Sequence, residues 1–203
     1  MRVFLAALLG LTLLGAPALQ AQGLEGKYVA VGTVPAAHSL DVVVVEEYLN
    51  FTCPHCNNFR DVAKPVFKKY GKRIKLLRMP ILFRGQADPP LRLFFVAQAN
   101  GKEDLAEEAL FDAAFKSGVN IYDPAVVNFL ARNLGLSEAY RKDGDAQWVS
   151  QKIDAAAARA STFGVEGTPT LVLQSGLRLF PESTMQAFVD NFDHLVLELL
   201  KRG

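Results

Sequence analysis

Cys53-Pro54-His55-Cys56 contains both cysteines of the chain, and it stands where an apolar run, Val42-Val43-Val44-Val45 then Tyr48-Leu49, gives way to apolar residues at helical spacing. Two thiols so spaced on a first helical turn occupy neighbouring parts of one face and can close a small disulfide ring with little backbone movement. The unpaired N–H groups and positive dipole end of a helix start favour a thiolate on Cys53. Pro54 suits the first helical position, where its missing N–H is no loss. His55, when protonated, adds positive charge beside the same sulfur. Stabilising the reduced, ionised form makes the disulfide a stronger oxidant, so the pair reads as a disulfide donor.

Other uses of a CxxC fit less well. Structural zinc needs a full set of Cys or His ligands, and there is no second cysteine pair; His38, His55 and His194 form no clustered histidine motif. Attachment of a c-type haem needs His directly after the second cysteine, where Asn57 stands. An inert structural bridge stays open on the residues alone, although natural bridges usually close longer loops. No metal or organic cofactor is expected beyond the cysteine pair itself.

Outward from the cysteines, Asp41 to Phe51 reads as a strand buried on both faces, and Lys27 to Gly32 as a shorter one before it. Cys56, Phe59, Val62, Ala63, Val66, Phe67 and Tyr70 recur as one helix face, kinked at Pro65 and stopped by Gly71. Arg73 to Phe83 reads as the next strand, completing a strand-helix-strand unit. Helical patterns follow at Leu91 to Gln98, Glu103 to Lys116, Pro124 to about Asn133 behind an Asp123 cap, and Asp145 to Phe163. Thr170 to Gln174 and Leu177 to Phe180 form a hairpin about Ser175-Gly176, and Ser183 caps a last helix with Met185, Phe188, Phe192, Leu195 and Leu199 on its apolar face. Phe59, Phe67, Phe94, Phe95, Trp148 and Phe192 are assigned to core packing, and His38 and His194 to the surface.

The 203 residues, half of them hydrophobic, suffice for one good core with an insertion. Twenty-two basic residues against twenty-one acidic leave no basic field for nucleic acid. The first residues differ from the rest: Met1-Arg2 is positive, Val3 to Leu14 is apolar but short for a span, and Ala16-Pro17-Ala18 and Leu19-Gln20-Ala21 are cleavage candidates. We read 1–21 as a secretory signal, with retention as an anchor the alternative. The short charged start looks bacterial and makes the periplasm the expected, oxidising compartment.

Strand, CxxC at a helix start, strand, helical block, then Gly164-Val165-Glu166-Gly167-Thr168-Pro169-Thr170 before a hairpin and closing helix: this order resembles the thioredoxin fold, and specifically the DsbA-like thiol:disulfide oxidoreductases. The resemblance implies an α/β thioredoxin fold with an inserted helical domain, 22–88 and 164–203 forming the thioredoxin-like part and 89–163 the insertion. It implies that Cys53 exchanges disulfides with substrate, that Cys56 resolves, and that Pro54 and His55 tune the pair. It implies a cis Thr168-Pro169 bond facing the cysteines and binding substrate, where the residues alone would favour trans. Glu47, six residues before Cys53, matches the family's buried acid beneath the site, which assists proton transfer at the inner cysteine. Alternation puts Glu47 on the Cys53 side and Glu46 on the other; a half-exposed strand end is the alternative, because two adjacent acids are not both cheaply buried. The implied partners are folding secreted proteins with free thiols and a membrane reoxidising protein of the DsbB type with a quinone behind it. A reductase or isomerase of the same fold remains open, as does a non-catalytic thioredoxin-like binding protein or chaperone.

Overall fold

The computed structural model describes residues 24–201, so the expected leader lies outside the described residues. Five strands form one mixed sheet in the order β1-β5-β4-β2-β3: β1 (Tyr28–Ala30), β2 (Val43–Leu49), β3 (Ile74–Pro80), β4 (Thr170–Leu173) and β5 (Leu177–Leu179). β2 sits between parallel β3 and antiparallel β4, which explains its near-continuous apolar, β-branched sequence. Its register sets Glu47 beside Arg78 of β3 and Leu171 of β4.

The odd-numbered face of β2, with Val43 and Val45, packs on α1 (Pro54–Val62), α2 (Lys64–Tyr70) and the closing helix α8 (Met185–Leu199). Phe59 of α1 meets Phe188 and Phe192 of α8 with ring centroids 6.0 and 6.5 Å apart. The expected kink is present, with the helix interrupted at Ala63 alone. Pro65 has no N–H to continue the ladder, so the helix ends at Val62 and restarts at Lys64. The Gly71 stop holds, with φ 52.

The even-numbered face turns toward the inserted helices α3 (Pro89–Ala99), α4 (Glu103–Phe115), α5 (Pro124–Asn133), α6 (Ser137–Asp143) and α7 (Gln147–Thr162). Asp123 caps α5 by accepting from Ala125 N–H at 2.8 Å, as its sequence predicts. Phe51, two residues before Cys53, enters the insertion's core against Phe94 and Phe111, with centroids 5.6 and 5.4 Å apart. Burying that one ring is worth about 1.5–3 kcal/mol, and it anchors the loop that carries the nucleophile.

Four sequence expectations need correction. α6 was not expected. Pro89 and Pro90 lie inside α3 as its first residues, where missing N–H groups are tolerated, and not ahead of it. The last helix is capped by Thr184, whose hydroxyl accepts from Ala187 N–H at 3.1 Å, and not by Ser183. The hairpin turns through Gln174 and Ser175, both at positive φ, while Gly176 is needed for close approach: a Cβ there would lie 2.1 Å from the Thr33 carbonyl oxygen. Among the described residues no helix is long and apolar enough to cross a membrane.

Candidate active site

Cys53 is the extended residue immediately before α1, with φ −84 and ψ 116, and its carbonyl accepts the first helical bond from Asn57 N–H at 3.1 Å. Pro54 is the first residue of the helix, as its chemistry predicts. The loop before it is fixed by side chains. Asn50 donates to the Ile81 carbonyl and to Gln86 Oε1, both at 2.8 Å, and its own oxygen accepts from the Thr52 N–H and hydroxyl at 3.0 and 2.8 Å. The Thr52 hydroxyl also meets Tyr122 OH, from the insertion, at 2.9 Å. Asn50, Gln86 and Tyr122 carry no motif, and only their distances reveal them.

The two cysteines are free thiols of unequal exposure: Cys53 is 9% exposed and Cys56 fully buried. Cys53 is therefore less open than an outward-facing sulfur, though still the more accessible of the two. As a thiol its Sγ donates to the Thr168 carbonyl at 3.1 Å, and the peptide bond from Thr168 to Pro169 is cis as expected. The Thr168 hydroxyl is buried and unpartnered in the dithiol form, available to a thiolate. Hydrogen bonding from the Cys56 thiol, helped by Thr168 and the Cys56 and His55 backbone N–H groups, brings Cys53 down to about 5 against the opposing effect of burial. Cys56 moves the other way, pushed up by burial and by its bond to Cys53. Ionisation is thus favoured at Cys53 and disfavoured at Cys56. His55 is exposed on the first turn of α1.

Two grooves flank Thr168 and Pro169. One, about 230 Å³, is lined by His55, Thr168, Pro169, Pro181, Met185 and Phe188; the other, about 430 Å³, lies between Gly164–Thr170 and Phe180. Phe180 is about half exposed. A separate, mostly apolar cavity of about 540 Å³ between α4 and α5 is lined by neither cysteine.

Glu46 and Glu47 are both buried, so neither is the half-exposed strand end that stood as the alternative. Glu46 has a counter-ion of its own, whereas Glu47 shares its cavity with two arginines that pair with Glu107. Arg159 of α7 reaches Glu46 through Nη2 at 2.6 Å and through Nε, and Tyr48 and Ser175 add hydroxyl donors at 2.8 and 3.0 Å. Burial raises the Glu46 carboxyl's proton affinity, but these donors outweigh it and hold the group below the usual range. Glu47 lies on the α1 face in a cavity of about 440 Å³ with Arg60, Arg78 and Glu107. Burial, reinforced by the Glu107 charge and only partly offset by Arg78 and Arg60, pushes Glu47 up to about 8.

The chain has counterparts among known proteins. The family model for the DSBA-like thioredoxin domain matches residues 77–193, more than half of the chain. The chain belongs to the DsbA-like thioredoxin family. The Pseudomonas syringae thiol:disulfide interchange protein DsbA is 28% identical over 191 residues, covering 89% of each chain. The Xylella fastidiosa oxidoreductase DsbA superposes with TM-score 0.69 at 22% identity, over 84% of this chain and 89% of that one. Proteus mirabilis DsbA, solved with a non-covalently bound peptide, gives TM-score 0.66 at 20% identity over 87% and 97%. Membership makes this DsbA-like chain a thiol:disulfide oxidoreductase with the α/β thioredoxin fold and inserted helices that its sequence implied. Among the described residues no cluster of His, Cys, Asp or Glu could hold a metal ion.

Proposed function

We propose that the protein is an exported oxidase that donates a Cys53–Cys56 disulfide to folding secreted proteins. The observation that carries this reading is the asymmetry of the pair: Cys53, at the start of α1 with the Cys56 thiol as hydrogen-bond donor, ionises near 5, while the buried Cys56 keeps its proton. A low-pKa sulfur is a good leaving group and favours the reduced enzyme, which drives transfer outward.

In the proposed cycle a substrate thiolate attacks the Cys53 sulfur of the oxidised enzyme. The electrons of the S–S bond pass to Cys56, which takes up a proton, for which Glu47 is the candidate donor. A second substrate thiolate then attacks the substrate sulfur of the mixed disulfide and expels Cys53 as its thiolate. Substrate gains a disulfide, the enzyme holds the two electrons, and a membrane partner of the DsbB type removes them. The grooves beside Thr168 and Pro169 are the candidate peptide-binding surfaces, with backbone pairing at Thr168. A bound peptide on the Proteus mirabilis relative is in keeping with this use. Pro54 and His55 act through the helix start, and the signal-like 1–21 supports delivery to a periplasm.

The test is turnover on a reduced, unfolded protein substrate together with the equilibrium against glutathione. An oxidase introduces disulfides stoichiometrically and lies well to the oxidising side of thioredoxin. A thioredoxin-like potential would reassign the protein as a reductase.

A further inference from the structure

Beneath α1 the structure brings together charges from five elements. Glu47 comes from β2, Arg78 from β3, Arg60 from α1 with Lys64 at the start of α2, and Glu103, Asp104 and Glu107 from the inserted helix α4. Glu107 is itself buried, 6% exposed, among Ala106, Leu110 and Phe111. Its carboxylate oxygens stand 2.9 Å from Arg78 Nε and 3.9 Å from Arg60 Nε. The Arg78 Nε makes no hydrogen bond to Glu107 despite the short distance, so that pair is held by charge. Asp104 and Glu103 draw on the same Arg78 at 2.8 and 3.7 Å from the solvent side. Glu47, beside Arg78 in the sheet, makes no ion pair within 4 Å of its own, although both arginines line its cavity.

We propose that Glu107 is a positioning residue for the thiol chemistry: from the inserted helix it occupies Arg78 and Arg60 and sets a like charge beside Glu47, keeping Glu47 as the protonated, donating acid. Three carboxylates of α4 compete with Glu47 for two arginines. The competitor nearest both is also buried, where charge–charge interactions are least screened. The inserted helices thereby reach the chemistry of the thioredoxin part and not only its substrate surface. This inference rests on the proton-donor role of Glu47 proposed above. No further reactant is needed, since Glu47 gives its proton to Cys56 when the S–S bond breaks and recovers one from water.

The experiment is the pH profile of single-turnover reduction of the oxidised protein by dithiothreitol, expressed per reductant thiolate, between about pH 6 and 10. Wild type should show a plateau and a falling limb as Glu47 ionises. Glu47→Gln should remove the limb. Glu107→Gln should keep the limb but move it at least about one pH unit toward acid, because it removes a like charge and releases both arginines. The Cys53 thiolate titration should stay where it is in every variant, which general disruption of the site would not allow. Arg60→Gln, a more exposed position, should move the limb toward alkaline pH and serves if Glu107→Gln does not fold. A limb that persists unchanged in Glu47→Gln overturns the donor role and this inference with it. A limb that Glu47→Gln abolishes, and that Glu107→Gln or Arg60→Gln leaves in place, overturns the assignment of Glu107 alone.

Discussion

Replacing Cys53 by Ser removes the ionising sulfur and keeps its size, so the reduced wild type and Cys53→Ser differ chiefly in one titration. The folded thiol ionises near 5 against 9.0 for an ordinary one. A depressed folded pKa means that the unfolded chain binds more protons between those values, so stability rises with pH through that window and the gain disappears below it. At pH 7 the gain spans about two pH units, or about 2.7 kcal/mol at roughly 1.36 kcal/mol per unit. The sulfur retains contact with solvent, and screening reduces the observable difference to about 2 kcal/mol. In a domain of this size that is a difference of roughly 4–8 °C in Tm. Urea unfolding under a phosphine reductant at about pH 4.5, 6 and 7.5 reads it directly, since every other titrating group cancels between the two proteins. The wild-type advantage should widen steadily from the lowest pH to the highest. Parallel stability curves across that range would refute the anionic sulfur and the reasoning built on it.

Glu47→Gln should slow disulfide transfer at least about tenfold while leaving the protein folded. Because the wild-type carboxyl is raised to about 8, ionising it opposes folding. The Gln variant should therefore gain in relative stability as pH rises from 4.5 toward 8, as chemical denaturation would measure. Arg159→Ala strands the buried Glu46 carboxylate and should lower stability by about 3–5 kcal/mol, with Glu46→Gln in the same chain recovering much of the loss in a double-mutant cycle. Tyr122→Phe removes one hydrogen bond from the Thr52 loop; about 1 kcal/mol of stability should go, with faster amide exchange at Thr52 and Cys53.

The parts of the fold that the sequence discloses are those where one local rule decides. A β-branched run of that length favours a buried central strand, Asp123-Pro124 has the chemistry of a helix cap and first position, and Pro54 suits a helix start. α6 escaped because none of its residues is buried, so no apolar periodicity marks it. Thr184 and Ser183 are chemically equivalent caps, and only the observed bond to Ala187 separates them. The burial of Glu46 depends on Arg159, and the surroundings of Glu47 on Arg78 and Glu107, all remote in sequence and brought in by separate elements; no local pattern predicts those placements. Glu107 did leave a trace. It is an acid within the Ala106, Leu110 and Phe111 stripe of α4, and a charge on a buried helical face calls for a partner. Asn50 and Tyr122 left none, because their roles arise only when the insertion closes over the loop before Cys53.

The most direct measurement is the ultraviolet thiolate absorbance of the reduced protein followed against pH. The predicted result is a single transition with its midpoint near 5, assigned to Cys53 by its loss in Cys53→Ser, and no second thiolate at neutral pH. A midpoint at 8 to 9, about that of a free cysteine, would contradict the account, since nothing would then favour handing the disulfide on.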